Sequence, residues 1–177
     1  MPRPVVRGSV DERAVGAWQP GGMPKYSAGV LPFRVEDGEL LVFVAHPGGP
    51  FWARKDDGVW SMVKGEYDPA TEDARVAAGR EFLEETGVPA PPEPWVDLGT
   101  VRQSSAKVVQ GFAAPAEAEL AFVQSNTCEV QWPPRSGRTL TIPEVDRAEW
   151  MPVADARRRL IPGQVELLDR LEAHLAG

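Results

Sequence analysis

The chain has 177 residues, 42% of them hydrophobic and 25% charged. That length and composition suit one folded domain with its own core, and no apolar run approaches membrane-helix length, so no membrane partner is expected. A formal net charge of -7 disfavours a nonspecific nucleic-acid binder, which needs a basic surface to displace counterions from phosphates, so no stable nucleic-acid partner is expected.

Residues 1–24 combine charges with Pro20, Gly21, Gly22 and Pro24 and carry neither structural periodicity nor the apolar stretch of a secretory signal, so a flexible extension is expected there. Residues 25–177 are expected to form a single domain. Residues 26–35 read as a strand, Asp37-Gly38 as a turn, and residues 40–45 as a buried second strand of a hairpin. Residues 46–57, with Pro47, Gly48, Gly49 and Pro50, read as a loop that nevertheless contains Phe51 and Trp52. A short strand over residues 60–64 follows. Thr71 is the expected N-cap of a helix over residues 72–86, with Glu72 and Asp73 in its first turn and Gly87 as its stop.

Beyond the proline-rich residues 89–94, strands are expected over residues 95–102 and 107–113 and near residues 128–132. Residues 133–138 read as a loop, and residues 149–152 enter a last strand or turn. Residues 154–160 begin a helix that Pro162-Gly163 breaks, and Leu167, Leu168, Leu171 and Leu175 form the apolar stripe of a final helix. Strands mixed with flanking helices predict a layered α/β domain. Cys128 is the only cysteine; with no Cys or His at metal-ligand spacing it reads as a buried thiol in a reducing cytoplasm.

The helix over residues 72–86 is acidic where it should be apolar. Ala74, Ala77 and Ala78 make a small core-facing stripe, and that stripe continues as Glu81, Glu84 and Glu85. Spaced i, i+3 and i+4, these carboxylates repel one another within one turn, at the negative end of the helix dipole. A solvated acidic face is the ordinary reading of such a run. Convergence on a hard divalent cation is the alternative, favoured because the acids continue the alanine stripe; with only His46 and His174 present, a zinc cage is not expected.

The stretch Gly65-Glu66-Tyr67-Asp68-Pro69-Ala70-Thr71-Glu72 is followed, eight residues after Glu72, by Arg80-Glu81-Phe82-Leu83-Glu84-Glu85-Thr86-Gly87-Val88. Together these segments resemble the Nudix box, and the second half matches it at every defined position. Between Gly65 and Glu72 stand six residues where the family has five, so the loop entering the helix is one residue longer. Gly79 inside the helix costs roughly 1 kcal/mol relative to Ala.

The resemblance covers residues 26–176 and implies a Nudix-type α/β/α sandwich with a mixed β-sheet between helices. It implies a Mg2+-dependent hydrolase, with Mn2+ as a substitute, that cleaves a phosphoanhydride in a nucleoside polyphosphate, a dinucleoside polyphosphate or a related nucleoside diphosphate derivative. By the same resemblance Glu84 and Glu85 are the principal metal ligands, Glu81 is a further ligand or the general base, and Arg80 orients the glutamates. Glu72 and Gly87 support the motif, and the carbonyl near Lys64 and Gly65 completes the metal shell. Glu144 is the favoured additional acid, with Glu149 as the other candidate. Trp52, Trp60, Tyr67 or Trp132 could stack on a base or simply pack in the core. Lys64, Arg54, Lys55, Arg135 and Arg138 could meet phosphate oxygens or stay solvated. His46 reads as a loop or packing residue. The run from Tyr26 to Gly65 also resembles a bacterial subgroup of nucleotide pyrophosphohydrolases and is similar to dinucleoside tetraphosphate hydrolases, which have Pro in place of Val63. The expected partner is a small-molecule nucleotide, and a homodimer is left open. A noncatalytic Nudix-fold nucleotide-binding regulator is the competing reading, which the full acidic set disfavours.

Overall fold

The computed structural model describes residues 22–177; the extension expected over residues 1–24 lies, as far as residue 21, outside the described residues. Strand β1 (Lys25–Glu36) is buried without a break from Ser27 to Phe33, which requires cover on both faces and puts it at the centre of the sheet. It is followed by β2 (Glu39–Pro47), joined through Asp37 and Gly38 at φ 50° and 80°. Two consecutive positive φ values make the tight turn whose twist suits a hairpin.

Further along the chain come β3 (Val63–Tyr67), helix α1 (Ala74–Thr86), β4 (Val96–Ser104), β5 (Lys107–Pro115), β6 (Thr127–Gln131), β7 (Thr139–Pro143), β8 (Val145–Pro152), α2 (Val153–Arg159) and α3 (Val165–Ala176). The main sheet has the order β4-β5-β1-β2-β8, and β3 pairs with β1 beside β2. One edge of β1 is thus shared: Tyr26 to Val30 pair with β3, and Phe33 to Glu36 pair with β2. Its other edge runs parallel to β5, from Lys25 opposite Lys107 to Phe33 opposite Pro115.

Side chains alternate across the sheet. Val30, Phe43, Ala45 and Phe112 cluster with Ala77, Ala78 and Phe82 of α1. Leu31, Val42, Val44 and Val109 cluster with Leu167, Leu168 and Leu171 of α3 on the opposite face. The result is the expected α/β/α sandwich around a mixed sheet. Gly111 permits the α3 contact, because a Cβ there would lie 2.9 Å from a Leu167 methyl.

Several boundaries differ from expectation. Asp73, not Thr71, caps α1, accepting from the N–H groups of Arg75 and Val76, so Glu72 and Asp73 precede the helix instead of lying in its first turn. An aspartate placed directly before the helix reaches its free N–H groups, and a threonine two residues upstream does not. The strand expected at residues 60–64 begins at Val63, while Trp60 and Ser61 make isolated bridges to Leu160 and Ala45. Strand β7 has no counterpart among the expected elements; it pairs with β6 in a separate two-stranded sheet. Cys128, on that hairpin, is half-buried instead of buried. No helix among the described residues is long and apolar enough to cross a membrane.

Candidate active site

The site begins where the sheet meets α1. A Cβ placed on Gly65 would lie 1.8 Å from Glu81 Oε2, so only glycine lets that carboxylate rest on the β3 backbone. Glu81 is 7% exposed, and burial pushes its carboxyl above the usual range, against the opposing pull of Arg80.

Arg80 holds the acids in order. Its Nε and Nη2 each lie 2.9 Å from an oxygen of Glu72, a bidentate pair. Its Nη1 lies 2.6 Å from Glu81 Oε1 and 3.4 Å from both oxygens of Glu84. The hydrogen bond to Glu72 raises the guanidinium pKa above its ordinary value and holds the Glu72 carboxyl below its usual range. One cation therefore reaches three carboxylates.

Glu85 turns toward β3 and accepts the Lys64 N–H at 3.2 Å. Burial pushes its carboxyl up to about 8; Lys64 opposes that shift, and Glu81 and Glu144 reinforce it. Burial also pushes the Lys64 ammonium down, helped by the neighbouring charge of Lys107. Glu144 sits between β7 and β8, its N–H donating to the Asn126 carbonyl and its own carbonyl accepting the Gly48 N–H, both at 3.0 Å.

Gly65, Glu81, Glu84, Glu85, Glu144 and Lys64 share the walls of one cavity of about 380 Å³. Glu149 stands apart: opposite Val44 in the sheet, it faces away from α1 and lies 3.5 Å from Arg147. Among the described residues no three His, Cys, Asp or Glu side chains are drawn to metal-ligand distance; Arg80 and the Lys64 N–H hold the acids separately. The donor set is all oxygen, and its buried members bear raised pKa values that a dication would reverse, so the residues fit a hard divalent ion.

The expected substrate contacts divide. Trp52 lines a second cavity of about 190 Å³ together with Lys64, Glu85 and Glu144. Arg54 is exposed on the 48–58 loop, and Arg135 and Arg138 are exposed at the β6–β7 hairpin tip; none of the three lines the cavities at the carboxylates. Trp60 is a core residue, 1% exposed, with its indole N–H on Asp56 at 2.7 Å. Tyr67 lies on a separate hollow beside Tyr26. His46 is buried, with Nδ1 2.8 Å from Asp146 and Nε2 2.8 Å from the Lys55 carbonyl, so it ties the 48–58 loop to β8.

Three residues on the carboxylate cavity, Glu66, Lys107 and Asn126, are not among those expected from sequence. Lys107 arrives through parallel pairing of β5 with β1 and lies 3.7 Å from Glu66. No local pattern marks it, because the pairing joins segments far apart in the chain.

A family model described as NUDIX domain matches residues 23–171. No curated protein matches the chain. Among solved structures, a Caenorhabditis elegans Ap4A hydrolase binary complex is similar at 21% identity and TM-score 0.59, over 86% of this chain and 98% of that one. The NUDIX domain of Shewanella oneidensis NrtR, complexed with ADP ribose, is similar at 20% identity and TM-score 0.57, over 90% and 94%. The E. coli ORF135 protein is similar at 22% identity and TM-score 0.53, over 88% and 94%. At these identities the likeness concerns the fold.

Proposed function

The chain belongs to the NUDIX family, and on that premise we propose that it is an active hydrolase of a phosphoanhydride bond in a nucleoside polyphosphate, a dinucleoside polyphosphate or a related nucleoside diphosphate derivative, dependent on Mg2+ or Mn2+. The carrying observation is the Glu81 carboxylate, buried on Gly65 and held by Arg80 beside Glu84 and Glu85. A module that only binds nucleotide gains nothing from burying an acid in this way.

Glu84, Glu85, Glu144 and the Gly65 carbonyl would hold the ion, which would supply charge neutralisation at the phosphate oxygens. Glu81 accepts a proton from water as the water oxygen bonds phosphorus and the bridging P–O bond breaks. Arg80 keeps Glu81 oriented, and Lys64 and Lys107 present ammonium groups to the phosphate chain. Trp52 stands at the side of the same groove.

The test is incubation of the full chain with Mg2+ and a panel of nucleoside di- and triphosphates, ADP-ribose and dinucleoside polyphosphates, with released phosphate identified. Turnover that disappears with chelator and falls roughly 100-fold or more in Glu84→Gln is expected, a loss comparable to removing one transition-state contact. Nucleotide binding without turnover of any panel member would favour the regulator reading instead.

A further inference from the structure

We infer that the apolar slot between the 48–53 loop and the β6–β7 hairpin seats the planar heterocycle of the substrate, a nucleobase whose phosphates extend onto the carboxylates. This rests on the function proposed above and names the group at the far end of the same groove.

The slot measures about 200 Å³ and is walled by Phe51, Trp52, Val130, Trp132, Pro134 and Ile142. An apolar cavity of ~150 Å³ admits benzene, so this space suits one or two fused rings. Trp52 also lines the neighbouring cavity with Lys64, Glu85 and Glu144, and those three residues line the carboxylate cavity in turn. Trp52 is thus a common wall of the slot and of a cavity bounded by the acids, which sets the aromatic slot beside the phosphate chemistry.

The walls are fixed against each other. A Cβ on Gly48 would lie 2.0 Å from the Pro143 carbonyl oxygen, and one on Gly49 would lie 2.6 Å from Ile142 Cδ1, so the loop rests directly on β7. The Phe51 and Trp52 rings meet edge-on at 4.6 Å, and Lys55 Nζ stands 3.6 Å over the Phe51 ring. The backbone N–H of Trp132 donates to the Arg138 carbonyl at 2.9 Å, closing the hairpin. Gln131 adds an amide to this lining, able to hydrogen-bond the edge of a base. That amide, and the Lys64, Glu85 and Glu144 side chains on the adjoining cavity, favour a heterocycle over an acyl chain or an apolar peptide.

Calorimetric titration of the full chain in Mg2+ with ADP, CDP and inorganic tripolyphosphate tests the assignment. Both nucleotides should bind more tightly than tripolyphosphate. Trp132→Ala and Trp52→Ala should weaken both nucleotides roughly 5- to 150-fold, the range for loss of a base-aromatic stack, while tripolyphosphate affinity holds. Ile142→Trp, which fills the slot, should block the nucleotides alone and serves if an alanine variant fails to fold. Unchanged nucleotide affinity in these variants, or an equal loss for tripolyphosphate, overturns the slot. Turnover retained in Glu84→Gln would instead overturn the catalytic reading and leave the slot standing.

Discussion

At Gly65 a single methyl group would separate two elements that the site needs in contact. Gly65→Ala places carbon 1.8 Å from Glu81 Oε2, and the displaced carboxylate should lower metal-dependent turnover by about 100-fold, the scale of a 1 Å misplacement. Circular dichroism should show the fold retained, and a variant with full turnover would separate Gly65 from the site. Glu85 gives a second expectation. Its folded pKa of about 8 lies above the ordinary 4.5, so between those values the folded state binds more protons than the unfolded one, and stability falls as pH rises. Glu81 shifts the same way. The chelated protein should therefore melt at a lower temperature at pH of about 8 than at about 6. Glu85→Gln should flatten that slope, and an unchanged slope in this variant would show that Glu85 is not its source.

At the scale of the element, α1 carries most of the site on one helix whose start differs from the simplest reading. Asp73 accepts two free N–H groups, whereas the Thr71 hydroxyl reaches only the Asp68 carbonyl at 3.4 Å. Asp73→Ala should cost about 1 kcal/mol of stability, the usual worth of a cap. Thr71→Ala should stay within about 0.5 kcal/mol. Thermal or urea unfolding of the two variants decides between them, and equal losses would contradict the cap. At the other end, Gly87 sits at φ 78° and its N–H bonds the Leu83 carbonyl. This helix stop is legible in the sequence because few residues but glycine take that conformation readily.

Across the whole molecule, two cores back the same sheet, and the one away from the site carries α3. Leu168 is fully buried there, so Leu168→Ala should cost about 2 to 5 kcal/mol. Denaturant unfolding followed by tryptophan fluorescence and by far-ultraviolet circular dichroism should show that loss in one shared transition. A loss under about 1 kcal/mol would mean that the α3 layer contributes little to the fold.

The motif from Gly65 to Val88 is legible because its chemistry is local: residues on one helix and the strand before it are brought together by short-range backbone geometry. Hairpin β1–β2 and the stripe on α3 are legible for the same reason, each having a turn or a period that neighbouring residues impose. Tertiary structure alone decided the rest. Strand β7 pairs with β6 across a loop whose arginines stay in solvent, away from the acids, and Lys107 reaches the carboxylate cavity through a parallel pairing with β1. Glu144, held by its backbone between β7 and β8, lines the acidic cavity, while Glu149 faces the other layer by alternation along β8. Sequence determines which groups can do the chemistry; long-range pairing, which no local pattern encodes, decides which of them meet.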